Sequence, residues 1–251
     1  MAETRRQKFV RSGATDPLQL TTRDADLLRA VYEFRFLNSE QLLALHKGGE
    51  RNLKLRLSRL FEHGYLDRPK IQKTARLVSS HIVYSLDRKG VDVLSGDADE
   101  RERMFRRIRE VNHTSALIAH ALMISQFRAT LTLALKNYPS SPKIERWLQG
   151  YDLKDAIASR GQSSELVPDA FFTIKDGDDL LDFFLEADQS TMDEGRMLKK
   201  MEIYWDWYRG KRQEKTLGIQ NFRVLTITKN ETRAENLCRV SSVNFASSAD
   251  G

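Results

Sequence analysis

From Leu20 to Gly64 apolar residues recur at helical spacing in three short runs, each closed by a capping or glycine signal, so this stretch can fold as little other than a tight cluster of helices. In LTTRDADLLRAVYEFRFLN, Thr21 and Thr22 offer a cap and Leu27, Leu28, Val31 and Phe34 share one face. SEQLLALH is a second helix, capped by Ser39 and stopped by Gly48 and Gly49. ERNLKLRLSRLFEHG is a third, with Leu53, Leu57, Leu60 and Phe61 inward, a cationic opposite side and Gly64 at its end. YLDRPKIQ and SHIVYSL then read as two strands of a ribbon, and LDRKGVDVL returns to helix. Helix, helix, basic helix, ribbon is the order of a winged helix-turn-helix, here over residues 20–96.

Charge points the same way. The chain of 251 residues carries a net +6, and residues 1–95 hold 18 Lys and Arg against 11 Asp and Glu, leaving 23 against 24 for the rest. A basic excess confined to the N-terminal part predicts double-stranded DNA as partner. The third helix would enter the major groove with Arg51, Lys54, Arg56 and Arg59, while Lys70, Lys73 and Arg76 of the ribbon meet the flanking backbone. The alternative is a solvated charged surface on a module used for protein contacts. Residues 1–19, with Arg5, Arg6, Lys8 and Arg11, read as a flexible basic arm.

One cysteine, Cys238, excludes an intrachain disulfide and a cysteine-rich zinc site. The N-terminus lacks a signal-peptide core, and no apolar run reaches the roughly 18 residues of a membrane span, so a cytoplasmic protein without a membrane partner is expected. The chain has no glycine-rich phosphate loop, zinc spacing or Ser/His/Asp grouping, which sets aside ATP-driven and acyl-transfer chemistry.

The second half, residues 97–242, begins with the charged stretch SGDADERERMFRRIRE, a solvated helix face or a dimerisation surface, and continues into a long apolar helix ending before Pro139. KIERWLQ reads as a strand, residues 152–165 as a polar loop, and LVPDAFFTI with LLDFFLEADQS as a hairpin turning at Asp176-Gly177. A helix through residues 191–210, the strand NFRVLTITK and the helix ETRAENLCRV complete an α/β layout with a mixed sheet, α+β overall, before a flexible tail at 243–251.

Period-two geometry puts Glu186 and Asp188 on one face of their strand, and the hairpin partner brings Asp169 beside them. Converging carboxylates suit a hard divalent cation such as Mg²⁺ and hence phosphodiester chemistry, for which Lys199 or Lys200 on the next helix would supply a cation. The structural alternative makes Asp169 a strand-edge acid near a turn and Glu186/Asp188 a cap on the following helix, with Asp188 as its entry residue. His113 and His120 share a helix face, where His113 or Glu110 could join the acids, though a hydrogen-bonded core histidine is commoner. Tyr204, Trp205, Trp207 and Tyr208 crowd one helix, for core packing or base stacking.

The order VPDAFFTI, FFLEADQST, MLKKMEIYWDWY and FRVLTITKNETRAENL, behind a helix-turn-helix with YSLDRKGVDVL, resembles the bacterial replication-relaxation family of plasmids and other mobile elements, over about residues 20–240. That family is in turn similar to the PD-(D/E)XK nucleases, which implies a restriction-endonuclease-like second domain, with Asp169 as the Asp of the PD motif and Glu186 as the second acid, these two holding Mg²⁺ and Asp188 assisting the metal or the water. Asp188 stands where the superfamily has lysine, so catalysis by Asp169, Glu186 and Asp188 would need a lysine from the helix, Lys200 first and Lys199 next. The resemblance implies a role in replication or DNA relaxation, with replication or relaxosome proteins or a second copy as partners. A non-enzymatic replication or transcription factor, its nuclease-like domain a scaffold, is the rival.

Overall fold

A computed structural model of the chain describes residues 8–13, 16–46, 48–73, 81–109, 114–158, 165–189 and 193–246. The first helix, α1 (Thr22–Phe34), starts from a capping box in which Thr21 and Asp24 satisfy each other's backbone N–H. A short strand, β1 (Leu37–Asn38), leads into α2 (Ser39–Leu45), capped by Asn38 with Gln41 rather than by Ser39. Helix α3 (Glu50–Glu62) ends where Gly64, at φ +80°, lets Gly64 N–H reach Phe61 O at 3.1 Å and Tyr65 N–H reach Leu60 O at 2.9 Å.

Strands β2 (Leu66–Asp67) and β3 (Val83–Leu86) follow, and β3 lies between β1 and β2, antiparallel to both. The expected strand YLDRPKIQ shortens to β2 and a 3₁₀ turn, Lys70–Lys73, because Pro69 has no N–H for a ladder. Gln72 takes over the pairing through its side chain, donating to Val83 O at 3.0 Å and accepting from Val83 N at 2.9 Å. Helices α4 (Arg88–Leu94), α5 (Ala98–Arg109) and α6 (Ser115–Lys136) complete this part.

Two compact units result, Met1–Leu133 and Ala134–Gly251, and both expected helices beyond residue 97 fall largely in the first. The reason is packing: Met104 and Phe105 of α5 and Ala129 of α6 join Leu27, Leu28, Val31, Leu53, Leu57 and Leu60 in one buried core. By length and composition Ala116–Lys136 is able to cross a membrane, contrary to the expectation that no run is long enough. Its polar positions are mostly uncharged, so they interrupt the apolar run without lowering its average much, and Ile118, Ile124 and Ala129 are buried against the unit.

The described part of the expected arm is held, not loose. Arg11 donates to Phe61 O at 2.8 Å and Leu66 O at 3.0 Å and pairs with Asp87, and Arg68 donates to Lys8 O at 2.7 Å. At the end of α1, Arg107 and Arg128 donate to Glu33 O at 3.1 and 2.8 Å, answering a helix-end carbonyl. Arg35 follows at φ 68°, ψ −48°, near a strained γ-turn conformation that costs a non-glycine residue about 1–3 kcal/mol.

In the second unit β4 (Lys143–Gln149) leads into α7 (Tyr151–Ile157), where a polar loop was expected; Leu153 and Ile157 are its buried side. Strands β5 (Ala170–Asp176) and β6 (Asp179–Asp188) form the expected hairpin, with Gly177 at φ +62° as the first turn residue. Helices α8 (Glu194–Arg209) and α9 (Arg212–Leu217), strand β7 (Arg223–Thr228) and α10 (Glu231–Ala246) follow, and α10 runs into the segment expected as tail.

The sheet is mixed, in order β4-β5-β6-β7, antiparallel except for the parallel β6–β7 pair. One face carries Phe171 and Phe184, 5.2 Å apart, under Tyr204 and Trp207 of α8 and Leu153 and Ile157 of α7. The other stacks Trp147, Phe172 and Phe183 at 5.4 and 4.9 Å across three strands. A register shift between Ile144 and Arg146 kinks β4.

Asp24 is buried and takes Arg56 Nε at 2.6 Å on one oxygen and Arg56 Nη2 with Thr21 on the other. Burial opposes its charge, but the bonds from Arg56 and Thr21 hold the carboxyl below its usual range. Asp24→Asn is expected to cost the first unit about 2–4 kcal/mol near neutral pH, read by urea denaturation. Because the folded value is depressed, that stability should be lost as pH falls through about 4 and below.

Candidate functional site

Helix α3 buries Leu53, Leu57, Leu60 and Phe61 and turns Arg51, Asn52, Lys54, Leu55 and Arg59 to solvent. Four residues were expected to supply charge there; three do. Arg56 is instead committed to Asp24 and to Gln19 O at 2.8 Å, since its position in the helix faces the start of α1. Lys54 pairs with Glu50 one turn back, and Arg59 approaches Asp16 at 3.4 Å; both pairs are exposed and weak. Lys70 is exposed on the 3₁₀ turn, while the side chain of Lys73 and all of Arg76 lie outside the described residues. Asn52 and Leu55, the latter 58% exposed, were missed although they follow from the same helical spacing.

In the second unit the ladder's register continues to place Asp169 opposite Glu186, on the face of Phe171 and Phe184. Asp169 closes the hairpin: its N–H donates to Leu185 O at 3.1 Å and its Oδ2 accepts from Ala187 N at 2.8 Å. Glu186, 2% exposed, accepts from Lys200 Nζ on one oxygen and from Tyr204 Oη at 2.5 Å on the other. Asp188, also buried, accepts from Arg233 Nε of α10 at 2.6 Å.

Lys200 is thus the α8 lysine that reaches the acids, and Lys199 is exposed. Tyr204 was read only as an aromatic, yet it stands one turn beyond Lys200 and could have been found by that spacing. Arg233, 45 residues from Asp188, left no local signal. The cap of α8 is Asp193, which accepts from Arg196 N at 2.8 Å, so neither Glu186 nor Asp188 serves that purpose. Glu110 and His113 lie outside the described residues; His120 is half-buried on α6.

The four aromatics of α8 divide by spacing: Tyr204 and Trp207 are core, whereas Trp205 and Tyr208 are exposed with ring centroids 6.0 Å apart. Among the described residues no group of three or more His, Cys, Asp or Glu is placed to hold a metal ion. The three expected carboxylates do share a strand face, but each is engaged by a donor, and Glu186 has both oxygens taken. As arranged, this donor set does not fit a divalent cation.

The sequence profile of the replication-relaxation family matches residues 28–221. The chain belongs to the replication-relaxation family. The match runs from α1 through α9 and so spans both units, and no curated protein or solved structure matches. Within this replication-relaxation protein Lys200, Glu186 and Tyr204 form one buried strand-to-helix contact. Burial outweighs the pull of Lys200, and Asp169 adds to it, so the Glu186 carboxyl is pushed up to about 7. Burial, and then the charge of Glu186, raise the Tyr204 hydroxyl well above its usual range.

A raised carboxyl makes the folded state the better proton binder between the ordinary value of 4.5 and about 7, so stability of the second unit should fall as pH rises through that window. Urea denaturation at pH 5, 6, 7 and 8 is expected to show this decline in the wild type and a flatter profile in Glu186→Gln.

Proposed function

We propose that this chain is a duplex-DNA-binding protein of the replication or relaxation apparatus of a mobile element, with α3 as its groove-facing helix. The reading is carried by one observation: α3 packs its apolar side into the core and exposes Arg51, Lys54 and Arg59 together with Asn52 and Leu55. Such a surface combines phosphate-seeking cations with an amide able to read a base edge and an apolar side chain able to meet a thymine methyl. The helix, strand, helix, helix, strand, strand order with β3 in the middle supports a winged helix.

For the second unit the proposal is a nuclease-like fold in which Glu186 and Asp188 are held as structural ion pairs, a scaffold for a replication partner or a second copy. The rival, Mg²⁺-dependent nicking, is favoured by one specific observation, a lysine on Glu186 with Asp169 opposite. It would require Glu186 to release Lys200 and Tyr204.

Arg51→Ala and Lys54→Ala are each expected to weaken duplex binding and to make its salt dependence shallower by about one charge, measured by fluorescence anisotropy across a salt series. Unchanged affinity in both would remove α3 from the interface. For the second unit, calorimetric titration of Mg²⁺ and Mn²⁺ followed by incubation with supercoiled plasmid is expected to show neither binding nor nicking. Nicking by wild type that disappears in a folded Asp169→Ala/Glu186→Ala protein would establish the nuclease instead.

A further inference from the structure

The first unit has an open pocket of about 430 Å³ where the ends of α1 and α5 meet β3 and the start of α4. Four arginines line it, Arg35, Arg88, Arg107 and Arg109, against two acids, Asp67 and Asp87. A fifth arginine, which is not on the lining, already engages both acids: Arg11 pairs with Asp87 and lies 3.7 Å from Asp67. The lining therefore carries an excess of positive formal charge, which favours an anionic ligand over a neutral or cationic one.

Two further observations bear on the same place. Arg35 is held at positive φ, a conformation that glycine would take without strain, and this residue is on the cavity wall. Tyr32 and Phe105 are also on the wall; Phe105 is buried with Arg101 and Arg109 over it at 4.7 and 5.7 Å, while Tyr32, half-buried beneath Arg107 at 4.7 Å, is the aromatic surface beside the guanidiniums. The planar fork of arginine matches phosphate oxygens in pairs, and aromatic surface beside it suits a ring. The volume falls within the range of small-molecule sites and far exceeds the needs of a bare ion.

We propose that this cavity binds a phosphate-bearing molecule of nucleotide size, either a free nucleotide or the terminal nucleotide of a DNA strand. The lining shares no residue with α3 or with the acids of the second unit, so the inference stands apart from the functional reading above.

The test is calorimetric titration of the full chain with inorganic phosphate, adenosine, adenosine mono- and diphosphate, and a DNA hairpin with or without a 5′-phosphate, with melting temperature as a second readout. A nucleotide is expected to bind and raise the melting temperature while adenosine does neither. Preference for the 5′-phosphorylated hairpin over free nucleotides would assign the ligand to a DNA end. Arg88→Ala/Arg109→Ala should weaken that binding by about 30-fold or more, whereas Arg103→Ala/Arg106→Ala, removing equal charge from exposed positions of α5, should leave it unchanged. Arg35→Gly, suited to the backbone there, should fold and bind weakly. Equal behaviour of adenosine and its phosphates, binding of inorganic phosphate with no gain from the nucleotide, or wild-type affinity in Arg88→Ala/Arg109→Ala would overturn the proposal.

Discussion

A carboxylate at the position of Glu186 has almost no water to solvate it, and the second unit depends on how that charge is answered. The answer comes from α8, which delivers Lys200 and Tyr204 one turn apart onto the two oxygens of one side chain. Replacing either donor leaves a buried acceptor without its partner, a far larger penalty than the net gain of the bond itself. The contact therefore fixes the rotation of α8 over the sheet. Tyr204 and Trp207 are then directed onto Phe184, while Trp205 and Tyr208 remain outside.

The same solution recurs in both units. Asp24 with Arg56 locks α3 to the start of α1, and Asp188 with Arg233 locks α10 to the end of β6. In each case an acid close to the end of an element is matched by an arginine from a distant helix, whose planar fork loses less freedom than a lysine when ordered. Such pairs add less stability than their Coulomb attraction suggests, because desolvation cancels most of it. They do make the wrong arrangement expensive, since a misplaced helix strands a charge.

Much of the architecture was legible because its determinants are local. The Schellman turn at Gly64, the hairpin at Gly177 and the apolar face of α3 are each written within a few residues. The period-two placement of Asp169, Glu186 and Asp188, and a lysine on the following helix, were also accessible. Partners from afar were not: nothing near Arg56 marks it as belonging to Asp24, and nothing near Asp188 points to Arg233. Short elements were missed for a different reason. Helix α7 spans seven residues, and only two of them, Leu153 and Ile157, are buried, too few to establish a period. The ribbon strand failed at Pro69, where the side chain of Gln72 does what backbone was expected to do.

Strand β4 is one of the two outermost strands of the described sheet, and its kink between Ile144 and Arg146 lies in a stretch bearing Lys143, Glu145 and Arg146. A flat apolar border would present unsatisfied backbone groups as a template for another chain. An irregular, charged border resists extension in register, so this edge is guarded against pairing strand to strand with the edge of another chain.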